Sequence, residues 1–115
     1  MTQKQFIGKY GEDLAAKYLE DRGYELVARN WRCKLGEIDL VLKDKNRIVF
    51  VEVKTRNGSG YGHPFEAITP LKVSRMRKLA ALWCAENQAM DSKVRLDAIA
   101  VLIRNGKVAV EHLKQ

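Results

Sequence analysis

Glu37-Ile-Asp-Leu-Val-Leu-Lys43, Asp44-Lys-Asn-Arg47 and Ile48-Val-Phe-Val-Glu-Val-Lys-Thr55 follow one another without interruption, and their reading decides the fold. Two runs rich in valine, isoleucine and leucine flank a tetrad of turn-type residues, which predicts two strands joined as a hairpin. With Lys45-Asn46 at the tip the register follows directly. Val41 faces Phe50, Asp39 faces Glu52 and Glu37 faces Lys54, while Ile38, Leu40 and Leu42 meet Val53, Val51 and Val49 on the other side. One face of this hairpin is then wholly aliphatic. The other starts apolar at Val41 and Phe50 and turns charged at Asp39, Glu52, Glu37 and Lys54.

Carboxylates placed directly across a ladder, roughly 5 Å apart at their Cβ atoms, repel unless a cation compensates them. Lys54 is one such cation. A hard divalent ion such as Mg²⁺, which takes oxygen ligands from one or two carboxylates and leaves room for water and phosphate, is another. A plain surface patch, with Glu37 and Lys54 forming an ordinary ion pair, is the simpler alternative.

Outward from the hairpin, Phe6 to about Arg22 places Ile7, Gly11, Leu14, Ala15, Tyr18 and Leu19 on one side of a helix that stops at Gly23. Tyr24 to Arg32 reads as a short strand. Arg56-Asn-Gly-Ser-Gly-Tyr-Gly-His63 is a glycine-rich loop, expected to be mobile and able to close over a bound chain through Gly58, Gly60 and Gly62. Thr69-Pro70 supplies an N-cap and a first-turn proline for a second helix running to about Asn87, with Val73, Met76, Leu79, Ala80 and Trp83 as its apolar stripe. Val94–Ile103 and Val108–Leu113 form a closing hairpin turned at Asn105-Gly106. The predicted fold is α/β, a mixed sheet flanked by helices in the order αβββαββ, as one domain over residues 1–115.

The 115 residues carry 21 Lys and Arg against 14 Asp and Glu, a net charge of +7, so polyanions and above all nucleic acid are the favoured partners. No apolar run reaches membrane-spanning length and no secretory signal opens the chain, which predicts a cytoplasmic protein without a membrane partner. Cys33 and Cys84 form no CxxC pair or Cys/His cluster, and are read as incidental thiols. His63 and His112 have no metal-binding pattern beside them and are assigned structural or exposed roles. Arg95 and Asp97 alternate onto one face of their strand, where an ion pair supporting the core is expected.

Asp39 followed by Glu52-Val53-Lys54 resembles the D…ExK signature of the PD-(D/E)XK nuclease superfamily, and Glu12 matches the helical acidic residue of its archaeal Holliday-junction resolvase branch. Gly8-Lys-Tyr-Gly-Glu12, Gly36-Glu-Ile-Asp39, Phe50-Val-Glu-Val-Lys-Thr-Arg56, Lys72 and Arg95-Leu-Asp97 together are similar to the YraN family of bacterial proteins, over nearly the whole chain. Two departures are Leu96, where an aromatic residue is expected, and Ile38, where the superfamily carries proline.

The resemblance implies a restriction-endonuclease-like domain that binds DNA and hydrolyses phosphodiester bonds, at branched or single-stranded structures, with RNA left open. It implies Mg²⁺ or Mn²⁺ held by Asp39, Glu52 and the Val53 carbonyl. Lys54 would then position or deprotonate the attacking water, and Glu12, on the edge of the first helix's stripe with small Gly8 leaving it room, would look into the same polar end. Arg56, Lys72 and Arg75 are the candidate phosphate contacts, although Lys72, Arg75, Arg77 and Lys78 spread around their helix and a solvated face accounts for them as well. Homodimerisation is common among junction-cutting nucleases and is left open here. Two other readings stand beside the enzyme: a nucleic-acid-binding module that kept the fold but lost turnover, and an interaction subunit of a DNA-processing assembly.

Overall fold

The computed structural model describes residues 1–58 and 62–114. Helix α1 (Gln3–Glu20) is followed by strands β1 (Glu25–Cys33), β2 (Gly36–Asp44) and β3 (Arg47–Asn57), a single 3-10 turn (Pro64–Ala67), helix α2 (Pro70–Glu86), and strands β4 (Lys93–Arg104) and β5 (Lys107–Leu113). Apart from the short 3-10 turn, this is the predicted order. The five strands form one mixed sheet in sequence order, β1 to β5, with every neighbouring pair antiparallel except β3 and β4. Parallel strands need a crossover, and α2 is that crossover.

Helix α1 starts a turn before its apolar stripe because Thr2 and Gln5 form a capping box: the Thr2 hydroxyl accepts from Gln5 N at 3.1 Å, and the Gln5 side chain accepts from Thr2 N at 2.9 Å. Helix α2 begins where Thr69-Pro70 places it, the Thr69 hydroxyl accepting from Lys72 N at 3.2 Å. Asn105 (φ 51) and Gly106 (φ 74) are both left-handed, the conformation a two-residue hairpin turn demands.

Each sheet face carries its own core. Ala15, Ala16 and Leu19 of α1 cover Leu40, Leu42, Val49, Val51, Ile99 and Val101. On the opposite face Leu79, Ala80, Trp83 and Cys84 of α2 pack on Ile38, Val41, Ile48, Phe50 and Leu96, with the Phe50 and Trp83 rings edge to face at 5.6 Å. The hairpin thus has no solvent face along its central part, and both sets of alternating residues are buried. Neither cysteine is bonded, Cys84 lying in the second core. Among the described residues no helix is long and apolar enough to cross a membrane.

The predicted β2–β3 register holds from Asp44–Arg47 through Val41–Phe50 to Leu40–Val51, and there it ends. Asp39 does not pair with Glu52, nor Glu37 with Lys54. The Asp39 carboxylate takes the N–H of Val53 at 2.8 Å, so a side chain replaces the backbone partner and the ladder stops. Past that point Ile38 joins the α2-side core rather than the Leu40–Leu42 face assigned to it from alternation. Of the glycine-rich loop, Arg56 and Asn57 extend β3, while Gly60, on which part of the expected closure rests, lies outside the described residues.

Candidate active site

The early end of the β2–β3 ladder opens the sheet between the N-terminal halves of the two helices, leaving a cleft of about 1240 Å³. Asp39, Glu52, Lys54 and Arg56 line it from the strands, Glu12 and Lys4 from α1, and Lys72 and Arg75 from α2. Every residue singled out from sequence as a site candidate, Val53 included, therefore reaches one cavity. Arg77 does not; it borders a separate groove of about 320 Å³ with Ala80, Cys84 and Met90.

Helix α1 approaches closely because of Gly11. A Cβ at that position would lie 1.9 Å from Thr55 Oγ1, a distance no side chain survives, so only glycine lets the helix sit on β3 here. Glu12 follows immediately and is carried over the strand ends. Gly8, by contrast, faces open space, consistent with the room expected beside Glu12.

One carboxylate oxygen from each of Glu12, Glu37 and Asp39 lies within 4.8 Å of the others. The half-buried Asp39 carboxyl is pushed up to about 7 by burial; the Val53 N–H opposes this, and the charges of Glu12, Glu37 and Glu52 add to the rise. Basic residues hold the cluster's outer members. Arg32 Nε lies 2.7 Å from Glu37, and an Arg29 nitrogen lies 3.5 Å from Glu12 while another meets Asp13 at 2.8 Å. Lys54 Nζ lies 3.3 Å from Glu52, two residues away on the same face of β3, rather than opposite Glu37 as the register implied. Two anions of the group thus have arginine partners and a third has a lysine; among the described residues Asp39 has a backbone N–H and no cationic side chain.

Glu37 is the member that sequence reasoning put on the same charged face but paired with Lys54 and left out of the site. Its signal was present: it stands two residues before Asp39, and side chains two apart on a strand share a face. His112 was read as having no acidic companion, yet its Nε2 meets buried Asp97 at 2.7 Å. Asp97 also accepts two bonds from Arg95 at 2.8 Å, and Arg95 donates to the Tyr24 hydroxyl at 2.7 Å, which realises the core ion pair expected of Arg95 and Asp97. His63 caps the 3-10 turn by accepting from Phe65 N and pairs with Glu111 of β5.

Sequence comparison matches residues 11–101 to the uncharacterised protein family UPF0102. Proteins of that name from Beutenbergia cavernae and Clavibacter michiganensis are each 53% identical to this chain, the first covering 99% of it and 98% of its own length. A third, from Nocardia farcinica, is 49% identical over 96% of this chain. The chain belongs to the UPF0102 family. At that level the YraN-type resemblance read from the motifs is borne out. The UPF0102 match takes in Gly11, Glu12, Glu37, Asp39, Glu52, Lys54, Lys72 and Arg75, and stops short of β5 with its His112.

Proposed function

We propose that this UPF0102 protein is a metal-dependent phosphodiesterase acting on DNA, with a restriction-endonuclease-like fold of the PD-(D/E)XK type. The observation that carries the reading is the gathering of Glu12, Glu37 and Asp39 in a cleft that also holds Glu52, Lys54, Lys72 and Arg75. Crowded carboxylates at a protein surface that is otherwise strongly basic are costly without a cation, and their donors are hard oxygens, the set that Mg²⁺ and Mn²⁺ accept. The donor set suits such an ion: Asp39, Glu52 and the Val53 carbonyl would hold it as the resemblance implies, and Glu12 and Glu37 offer oxygens within 4.8 Å of Asp39. When bound, it supplies Lewis-acid stabilisation of charge on the phosphate.

The chain's own groups supply the rest. Lys54, held by Glu52, stands where it can orient a water or receive its proton, and in its charged form it offsets negative charge gathering on the phosphate. Lys72 and Arg75 from one wall, with Arg56 and Lys4 from the strand end and the other wall, bind flanking phosphates and fix the backbone's direction. Arg29 and Arg32, paired with Glu12 and Glu37, offset part of the repulsion within the acidic group. A DNA strand is thereby cut with water as the second reactant.

Incubation of end-labelled single-stranded, duplex and four-way-junction DNA with Mg²⁺, Mn²⁺ or EDTA tests this. Products that need metal and disappear in Asp39→Ala, Glu52→Ala and Lys54→Ala support hydrolysis at this site. Binding without cleavage under every condition replaces it with a nucleic-acid-binding module.

A further inference from the structure

The cleft has an apolar side that phosphate chemistry leaves unused. Lys34-Leu35 is the two-residue turn between β1 and β2, closed by the Cys33–Gly36 pair, and Leu35 at its tip lines the cleft while 55% exposed. Gly36 beside it sits against α2, its Cβ position 3.6 Å from Leu79 Cδ1. Leu79 and half-buried Met76 line the same wall, one helical turn beyond the basic Lys72 and Arg75. Leu35, at a hairpin tip next to a charged site, belongs to neither core cluster.

A duplex turns its phosphates and sugars outward and keeps its base faces stacked inside, so it offers this ledge little apolar surface. A strand with an unstacked base offers a flat apolar face within a nucleotide of the phosphate. We infer that Leu35 and Met76 form a platform for an unpaired nucleobase next to the phosphate held at Asp39 and Lys54, so that the cleft takes single-stranded rather than duplex nucleic acid. This rests on the phosphodiesterase reading of the cleft and adds the form of strand it accepts. Lys72 and Arg75 then track the backbone while the ledge receives the base, with aliphatic Leu35 and Met76 in the place that aromatic side chains take in sequence-tolerant single-strand binders.

The test is binding in Ca²⁺, without turnover, of fluorescein-labelled 15-mers as single strand and as duplex, together with a single strand carrying 2-aminopurine. The expected result is single-strand affinity at least about fivefold above duplex and a rise in 2-aminopurine emission as the base leaves its stack. Leu35→Ser should cost about fivefold in single-strand affinity and abolish the emission change, because an apolar contact of this size is worth about that factor. Leu82→Ser, an exposed leucine on α2 outside the cleft, should change neither. Equal or tighter duplex binding, or a Leu35→Ser protein indistinguishable from wild type with an unaltered circular dichroism spectrum, overturns the inference. Metal-dependent cutting of duplex without strand preference would sink this inference alone, whereas single-strand preference with no cleavage in Mg²⁺ or Mn²⁺ would sink only the hydrolytic reading.

Discussion

Replacing Asp39 with asparagine should make the metal-free protein more stable, by an amount that grows as pH rises above about 4 and is complete just above neutral pH. Asparagine keeps an oxygen to accept the Val53 N–H at 2.8 Å, so the local geometry survives while the charge goes. Folding lifts the Asp39 carboxyl from its ordinary 3.8 to about 7, through burial first and then through Glu12, Glu37 and Glu52. Between those two values the folded chain holds a proton that the unfolded chain has released. Stability present in full below pH 3.8 is therefore lost as pH rises to about 7. Roughly three pH units at about 1.4 kcal/mol each put the loss near 4 kcal/mol by pH 8. For a domain of this size that is about 15–20 °C in Tm. Thermal unfolding in EDTA should thus show Asp39→Asn well above wild type at pH 8 and within about 1 kcal/mol of it at pH 4.5. Millimolar Mg²⁺ should raise wild-type Tm at pH 8 and leave the variant unmoved, since a ligand stabilises only the state that binds it. A variant no more stable than wild type at pH 8, or equally advantaged at pH 4.5, refutes the account of this carboxylate cluster.

Gly11→Ala should destabilise the chain by about 2–3 kcal/mol in urea unfolding, because the added methyl has no space. Adding Thr55→Ala should recover part of that by removing the hydroxyl it meets; a neutral Gly11→Ala overturns the claimed contact. Asp97→Ala removes the carboxylate that takes two bonds from buried Arg95, leaving it Asp44 at 3.8 Å and the Tyr24 hydroxyl, and should cost about 3 kcal/mol. Its carboxyl, penalised by burial, is nonetheless held low by His112 and Arg95, so the stability it adds is present above pH 3.8 and fades as pH falls through the lowered value, a fade the alanine variant should lack. Arg75→Ala should weaken DNA binding in anisotropy titrations and lower the log–log salt slope by about one; an unchanged slope removes Arg75 from the phosphate contacts.

The parts of the fold that were legible in the sequence are those whose cause is local. Thr69-Pro70 starts α2 because a cap and a fixed φ act within one turn, and Asn105-Gly106 turns the last hairpin because both residues tolerate the left-handed region. The β2–β3 register was readable from the Lys45-Asn46 tip as far as Leu40 and Val51 for the same reason, since the two-residue turn fixes the pairing next to it. What escaped reading depends on contacts between residues far apart in the chain. Nothing near Gly11 announces that Thr55 will lie under it, and nothing near His112 announces Asp97, fifteen residues back across the β4–β5 hairpin. The 3-10 turn at Pro64–Ala67 is too short for any periodic signal.

The candidate site shows where pattern reasoning gives out and why. Alternation correctly brought Asp39, Glu52 and Lys54 to one end of the sheet, but it assumed that backbone hydrogen bonds continue as long as the strands do. A carboxylate within reach of an amide competes with that ladder, and charged acceptors make the stronger bond. At Asp39 the side chain wins, and β2 and β3 cease to pair beyond Leu40 and Val51. Had the ladder continued, Lys54 would have faced Glu37 across the strands and closed the acidic patch with a salt bridge. Because it stops, Lys54 stays with Glu52 on its own strand, Glu37 turns to Arg32 and toward Glu12, and Asp39 is left among carboxylates with no cationic partner among the described residues. The residue that ends the ladder is thus the one whose charge is most opposed by its surroundings, which is why Asp39→Asn, keeping the acceptor for Val53 N–H, separates the electrostatics of the cluster from the packing of the fold.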